Sequence, residues 1–133
     1  MPTSLSSLAR EDTGDYRIAD ALAEGKEKNI LGEDIKFYFG KQGHRSVARK
    51  MGKFRSNKKA NAFKKSDTAA CNWVFLSAMK ALRDRARREG GNAVINIKSN
   101  YKNHLTSSKT TFVCGAGNVM VGVSLTGDVV KLK

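Results

Sequence analysis

Two cysteines and two histidines are the residues of this chain whose chemistry is worth testing first. Cys71 falls on the apolar face of an expected helix, and Cys114 in an expected strand that should pack beneath it. A disulfide is the natural reading, and closing a loop of over 40 residues would add roughly 3–4 kcal/mol in the chain-entropy model. Two buried thiols acting as small hydrophobes are the alternative. A zinc site wants closely spaced Cys or His pairs, and the chain has no Cys-x-x-Cys. His44 and His104 stand alone in polar segments, so no metal and no other cofactor is expected. His104 and Cys114 are the one tempting nucleophile and base, but their separation across an expected hairpin specifies nothing. After residue 40 the acids are Asp67, Asp84, Glu89 and Asp128, most of them at cap, helix-end or turn positions. Gly52-Lys53 is followed by Phe54, and Val47 stands where a phosphate-cradling loop needs its first glycine, so ATP hydrolysis has no machinery here. No catalytic residue is nominated, and no enzymatic activity is expected.

Charge carries the stronger signal. Lysine and arginine total 25 against 12 acids, a net charge of +13. The acids concentrate before residue 40, whereas Lys41 to Lys65 holds ten basic residues and no acid. Such a field draws polyanions without choosing among nucleic acid, anionic lipid and acidic polysaccharide. Lys58, Lys59, Lys64 and Lys65 surround Asn57, Asn61 and Phe63, a mixture that can follow phosphates while a ring packs on an apolar portion. Arg83 and Arg87 share a helix face and are further anion-binding candidates. The plainer readings are a solvated loop for the lysines and helix-dipole complementarity for the arginines.

The elements that must hold these residues follow from periodicity. Residues 1–14 read as a flexible leader, and residues 15–133 as one α+β domain. Within the leader, Ser7-Leu8-Ala9 has the small-x-small pattern of a signal-peptidase site. Asp15 to Glu24 fits a short amphipathic helix ending near Gly25. Ile35, Phe37 and Phe39 alternate along a strand. Residues 41–65 read as a basic loop with a possible strand at Met51 to Ser56. Cys71, Val74, Phe75, Ala78, Ala81, Leu82 and Ala86 repeat at helical spacing, predicting a helix over 67–89 capped by Ser66 or Asp67 and stopped by Gly90-Gly91. Asn92 to Tyr101 is a strand, Lys102 to Lys109 a polar connection, and Thr110 to Cys114 a strand. Gly115-Ala116-Gly117 then reads as a bulge or bend. Val119 to Leu125 is another strand, Thr126-Gly127-Asp128 a turn, and Val129 to Leu132 a short last strand. The sum is one long helix packed on a small, mainly antiparallel sheet.

Two stretches carry a resemblance: Arg87 to Ile97 after an alanine-spaced helix, and Val119 to Lys131. From Asp67 onward the chain resembles the small bacterial domains typified by YbjQ, and the related core of the envelope lipoprotein RcsF. The stretch from Asp34 to Leu132 is similar to a group of small, uncharacterised, mostly exported proteobacterial proteins, some of them labelled an excinuclease ATPase subunit. The match includes Asp34 to Gly40, Asn57 to Asp67, Glu89 to Tyr101 and Cys114 to Gly117. The resemblance implies a YbjQ/dodecin-like β-α-β-β core, a periplasmic or cell-envelope location, and a homo-oligomer or a protein partner as possible assemblies. It transfers no activity. The function expected is a non-catalytic envelope domain binding an anionic component: lipid head group, lipopolysaccharide or cell-wall polymer. The alternatives are a cytoplasmic nucleic-acid-binding protein, or a sensor or interaction module resembling RcsF.

Overall fold

The computed structural model describes residues 11–133. Ser7-Leu8-Ala9 and the first ten residues of the expected leader lie outside it. The chain runs β1 (Glu11–Arg17), α1 (Ile18–Glu27), β2 (Lys36–Phe39), β3 (Val47–Asn61), α2 (Asp67–Glu89), β4 (Ala93–Tyr101), β5 (His104–Thr106), β6 (Thr111–Gly117) and β7 (Met120–Leu132).

The long helix forms where its periodicity and caps place it. Ser66 Oγ accepts from the Ala69 N–H at 3.1 Å, and Asp67 puts a carboxylate in the first turn. Gly90 ends the helix at φ +81°, a conformation that costs a side chain about 1–2 kcal/mol. The stripe Cys71, Val74, Phe75, Ala78, Met79, Leu82 and Ala86 is buried against one face of the sheet. Phe75 stacks on Phe112 of β6, ring centroids 4.1 Å apart. Burying side chains of this size contributes roughly 1.5–3 kcal/mol each.

All seven strands form one mixed sheet. β7 is its spine. Along one side it pairs with β3 over its whole length, from Asn61 opposite Met120 to Val47 opposite Leu132. Along the other it pairs first with β6, at Val121 and Gly122, and then with β4, from Leu125 to Val130. β1 extends the β6 branch, antiparallel; β2 extends the β4 branch and is parallel to it, so the sheet is not wholly antiparallel. The two-residue turn Lys102-Asn103, both at positive φ, folds β5 back on β4.

Several expectations change, and the polar connection expected at Lys102 to Lys109 itself holds the short strand β5. The basic loop of 41–65 is for most of its length a strand of 15 residues, because β7 pairs with it from end to end along one side. Residues 11–14 pair with Gly117 to Cys114 of β6 and belong to the sheet, not to a leader. The first helix therefore starts at Ile18, not Asp15, and passes through Gly25, which lies buried against Leu76. Thr126-Gly127-Asp128 is strand because β3 and β4 flank it on both sides, which outweighs its local turn preference, and Gly115-Ala116-Gly117 likewise continues β6.

Candidate anion-binding face

Directly opposed residues of an antiparallel pair share a face, so the register sorts the charges of β3. Phe54, Ser56, Lys58 and Ala60 stand opposite Gly127, Leu125, Val123 and Val121 on the helix side. The Ser56 hydroxyl donates to the Ala78 carbonyl of α2 at 3.0 Å, which fixes that assignment. Lys53, Arg55, Asn57 and Lys59 stand opposite Asp128, Thr126, Ser124 and Gly122 on the face away from α2. Lys98 of β4 joins them, since Thr126 lies between it and Arg55.

A groove of about 590 Å³ opens on this second face. Arg55, Asn57 and Lys59 line it from β3, Gly122 and Ser124 from β7, and Asn100 to Asn103 from the β4–β5 hairpin. The hairpin leans over the floor because two glycines make room for its aromatic ring. A side chain at Gly115 would overlap the Tyr101 ring, and one at Gly122 would meet it at 3.4 Å. Lys102 lies 5.7 Å from the same ring. Asn57 and Ser124 bond to each other across β3 and β7. The only acid on β3, β4 and β7 is Asp128, 3.8 Å from Lys53 and 3.4 Å from the Asn96 amide. The arrangement can place several ammonium and guanidinium groups along an extended anion.

The six candidates from sequence do not form one site. Lys59 is on the groove. Lys58 contributes its backbone there, while its side chain belongs to the helix side. Lys64 and Lys65 sit in the turn between β3 and α2, their ammonium groups 5.6 Å from the Phe63 ring and 6.0 Å from the Trp73 ring. Arg83 is buried, donating to the Ile30 carbonyl at 2.6 Å and twice to Asp84. Arg87 grips Asp34 with two bonds of 2.7 Å, which hold the Asp34 carboxyl at about 2, well below its ordinary 3.8. These two arginines fasten the segment before β2 to α2 and take no place beside the lysines. Lys53, Arg55 and Lys98, which share the face of Lys59, and Lys102 of the hairpin were not among the sequence candidates. For Lys53 and Arg55 the signal was present: basic residues alternating with Phe54 and Ser56 mark a strand with one charged face.

Cys71 and Cys114 are joined in a disulfide, Cα atoms 6.0 Å apart, with both side chains fully buried. The bond consumes the thiols that a metal site or a Cys–His nucleophile would need. It is compatible with an oxidising periplasmic or envelope location. No described helix is long and apolar enough to cross a membrane. No family model matches the chain, and no curated protein or solved structure matches it.

Proposed function

We propose that this chain is a non-catalytic domain of a cell envelope that binds an anionic component through the sheet face opposite α2. The observation that carries the reading is the set Lys53, Arg55, Lys59 and Lys98 on one sheet face, with Arg55 and Lys59 bordering the groove and Asp128 the one acid on the three strands β3, β4 and β7. Lysines on an exposed strand also discourage edge pairing between molecules. That role does not account for a second set of cations on β4 and the hairpin, facing the same way. The buried disulfide favours the envelope over the cytoplasm.

The resemblance to YbjQ-type and RcsF-like domains supports the same class of fold and the same location. The ligand classes are lipid head group, lipopolysaccharide and cell-wall polymer. A nucleic acid would use the same cations, and a protein partner or a second copy would instead read a sheet edge.

The test is the triple variant Lys53→Gln, Arg55→Gln, Lys59→Gln, titrated against lipopolysaccharide, a soluble cell-wall polymer and random-sequence DNA at several salt concentrations. The expected result is tighter wild-type binding to the envelope ligands, with a salt dependence that flattens in the variant. On the duplex, three lost phosphate contacts lower the slope of log K against log salt by up to about 2.7. A variant that binds every ligand like wild type overturns the open-face reading, and a wild type that prefers DNA moves it to nucleic acid.

A further inference from the structure

At the far end of β3 the molecule leaves large apolar side chains in solvent. Phe63 is 63% exposed, Val119 51% and Met120 46%. Phe63 and Val119 come from two turns that the fold holds side by side, and Met120 opens β7: the Ala62 N–H donates to the Val119 carbonyl at 2.6 Å, and Asn61 stands opposite Met120. Lys64 and Lys65 follow Phe63 directly. Trp73, the only tryptophan, is 47% exposed, with the Lys65 ammonium of this end 6.0 Å from its ring and the Lys28 ammonium 5.8 Å from it. It lies six residues into α2, about 9 Å along the axis from the helix start. Asp67 occupies the first turn of α2, where the helix dipole holds a carboxylate, and β1 sets Glu11 and Asp12 opposite Gly117 and Ala116, so the cations at this end are concentrated on the Phe63 side.

Scattered apolar residues on a surface need no explanation, but these gather at one end with cations among them. A protein partner with an acidic rim would satisfy the charges. A bilayer satisfies the vertical order as well. Apolar side chains at the extreme end would enter the acyl boundary, the lysines would meet phosphates, and a tryptophan about 9 Å behind would lie at the head-group level that its amphipathic ring prefers.

We propose that the domain docks end-on to an anionic phospholipid bilayer, with Phe63, Val119 and Met120 inserted and Lys64 and Lys65 on the head groups. This rests on the envelope location argued above, but on a surface separate from the groove, so each can fail alone.

The experiment uses vesicles of phosphatidylglycerol with phosphatidylethanolamine, and vesicles of phosphatidylcholine as the uncharged control. Trp73 reports the geometry without any label. Its emission should shift to the blue on the anionic vesicles and be quenched by brominated acyl chains. The double variant Phe63→Ser, Met120→Ser should lose about tenfold or more in vesicle partitioning, as expected when two large apolar side chains no longer leave water. It should bind lipopolysaccharide and DNA as wild type does, and an unchanged melting curve shows that it is folded. The triple variant of the groove should keep the Trp73 shift and quenching in its bound fraction. Equal vesicle binding by the double variant and wild type overturns the proposal, as does bound wild type whose Trp73 emission is unmoved. A dimer that the double variant dissolves, with vesicle binding unchanged, overturns it too and assigns the patch to a second copy. Loss of vesicle binding in the double variant, beside a groove variant that behaves as wild type on every ligand, keeps the docking and removes the groove reading.

Discussion

β3 and the second half of α2 are both rich in cations, and in sequence they look like two instances of one property. In the fold they are opposites. Each of three arginines of α2 has a fixed partner: Arg83 has Asp84 and the Ile30 carbonyl, Arg85 has Glu89 at 3.0 Å and the Phe54 ring at 4.0 Å, and Arg87 has Asp34. On β3, Arg55 and Lys59 border a groove, and Lys53 has one long contact with Asp128. The difference lies in where the acids fall. Asp84 and Glu89 are on the helix itself, and Asp34 reaches it from the segment before β2. β3 has no acid of its own and only Asp128 across the ladder. Cations with partners hold structure together, whereas cations without them create a field that a ligand can use.

The comparison breaks most sharply at Arg83. Arg83→Ala should destabilise the domain by roughly 2–4 kcal/mol, because the Ile30 carbonyl loses its charged donor and the buried stem leaves a gap. Chemical denaturation reads this, and polyanion binding at a temperature where the variant is folded should match wild type. Replacing Lys53, Arg55 and Lys59 by Gln should show the reverse, with each change staying within about 0.5 kcal/mol of neutral while binding weakens. If the β3 variant melts early or the Arg83 variant loses polyanion binding, the division of labour is wrong.

Arg85 tests a smaller effect. Its guanidinium lies over Phe54 while its Nε donates to Glu89, so Arg85→Ala should cost about 1 kcal/mol by denaturation. Arg85→Lys should recover part of that loss, since an ammonium keeps the charge but does not stack as a planar guanidinium does. Full recovery by Lys would show that stacking on Phe54 contributes nothing.

The helix was readable from sequence in span, caps and buried face because every signal for it is local: a period, a hydroxyl before it and a glycine after it. The disulfide followed from the same period, once Cys71 was on the buried stripe and Cys114 on a strand beneath it. β3 was not readable in the same way. An edge strand with one face in water and the other only half covered shows few apolar residues, and what makes it a strand is β7, about 60 to 85 residues away in the chain. The turn expected at 126–128 failed for the related reason that neighbours on both sides were invisible. The candidate site suffered most. Lysines adjacent in sequence, such as Lys58 and Lys59, point to opposite faces of a strand, while Lys98 and Arg55 share a face across Thr126. Treating the basic segment as a loop hid this, and it grouped Lys64 and Lys65 with cations that lie elsewhere.

The most exposed pair of the set is also the one whose carboxyl is displaced from its ordinary range. Asp34 and Arg87 are both substantially exposed, their side chains at 53% and 44%. Solvent therefore screens the pair, and its effect on stability should be smaller than that of Arg85. Its sign is definite. The two hydrogen bonds from Arg87 hold the folded-state pKa of Asp34 at about 2, below the ordinary 3.8, so the folded protein favours the ionised carboxyl. The stabilisation is complete above 3.8 and drains away as pH falls toward about 2, where the carboxyl is increasingly protonated in both the folded and the unfolded chain. Asp34→Asn should accordingly melt slightly below wild type at neutral pH, with the gap narrowing under pH 4 and closing near pH 2. High salt should narrow the same gap at neutral pH. Paired melting curves across that range decide it: a gap that persists unchanged to pH 2 would mean that Asp34 acts through hydrogen-bond geometry alone, and Arg87 would then leave the class of charge-paired arginines from which β3 is distinguished.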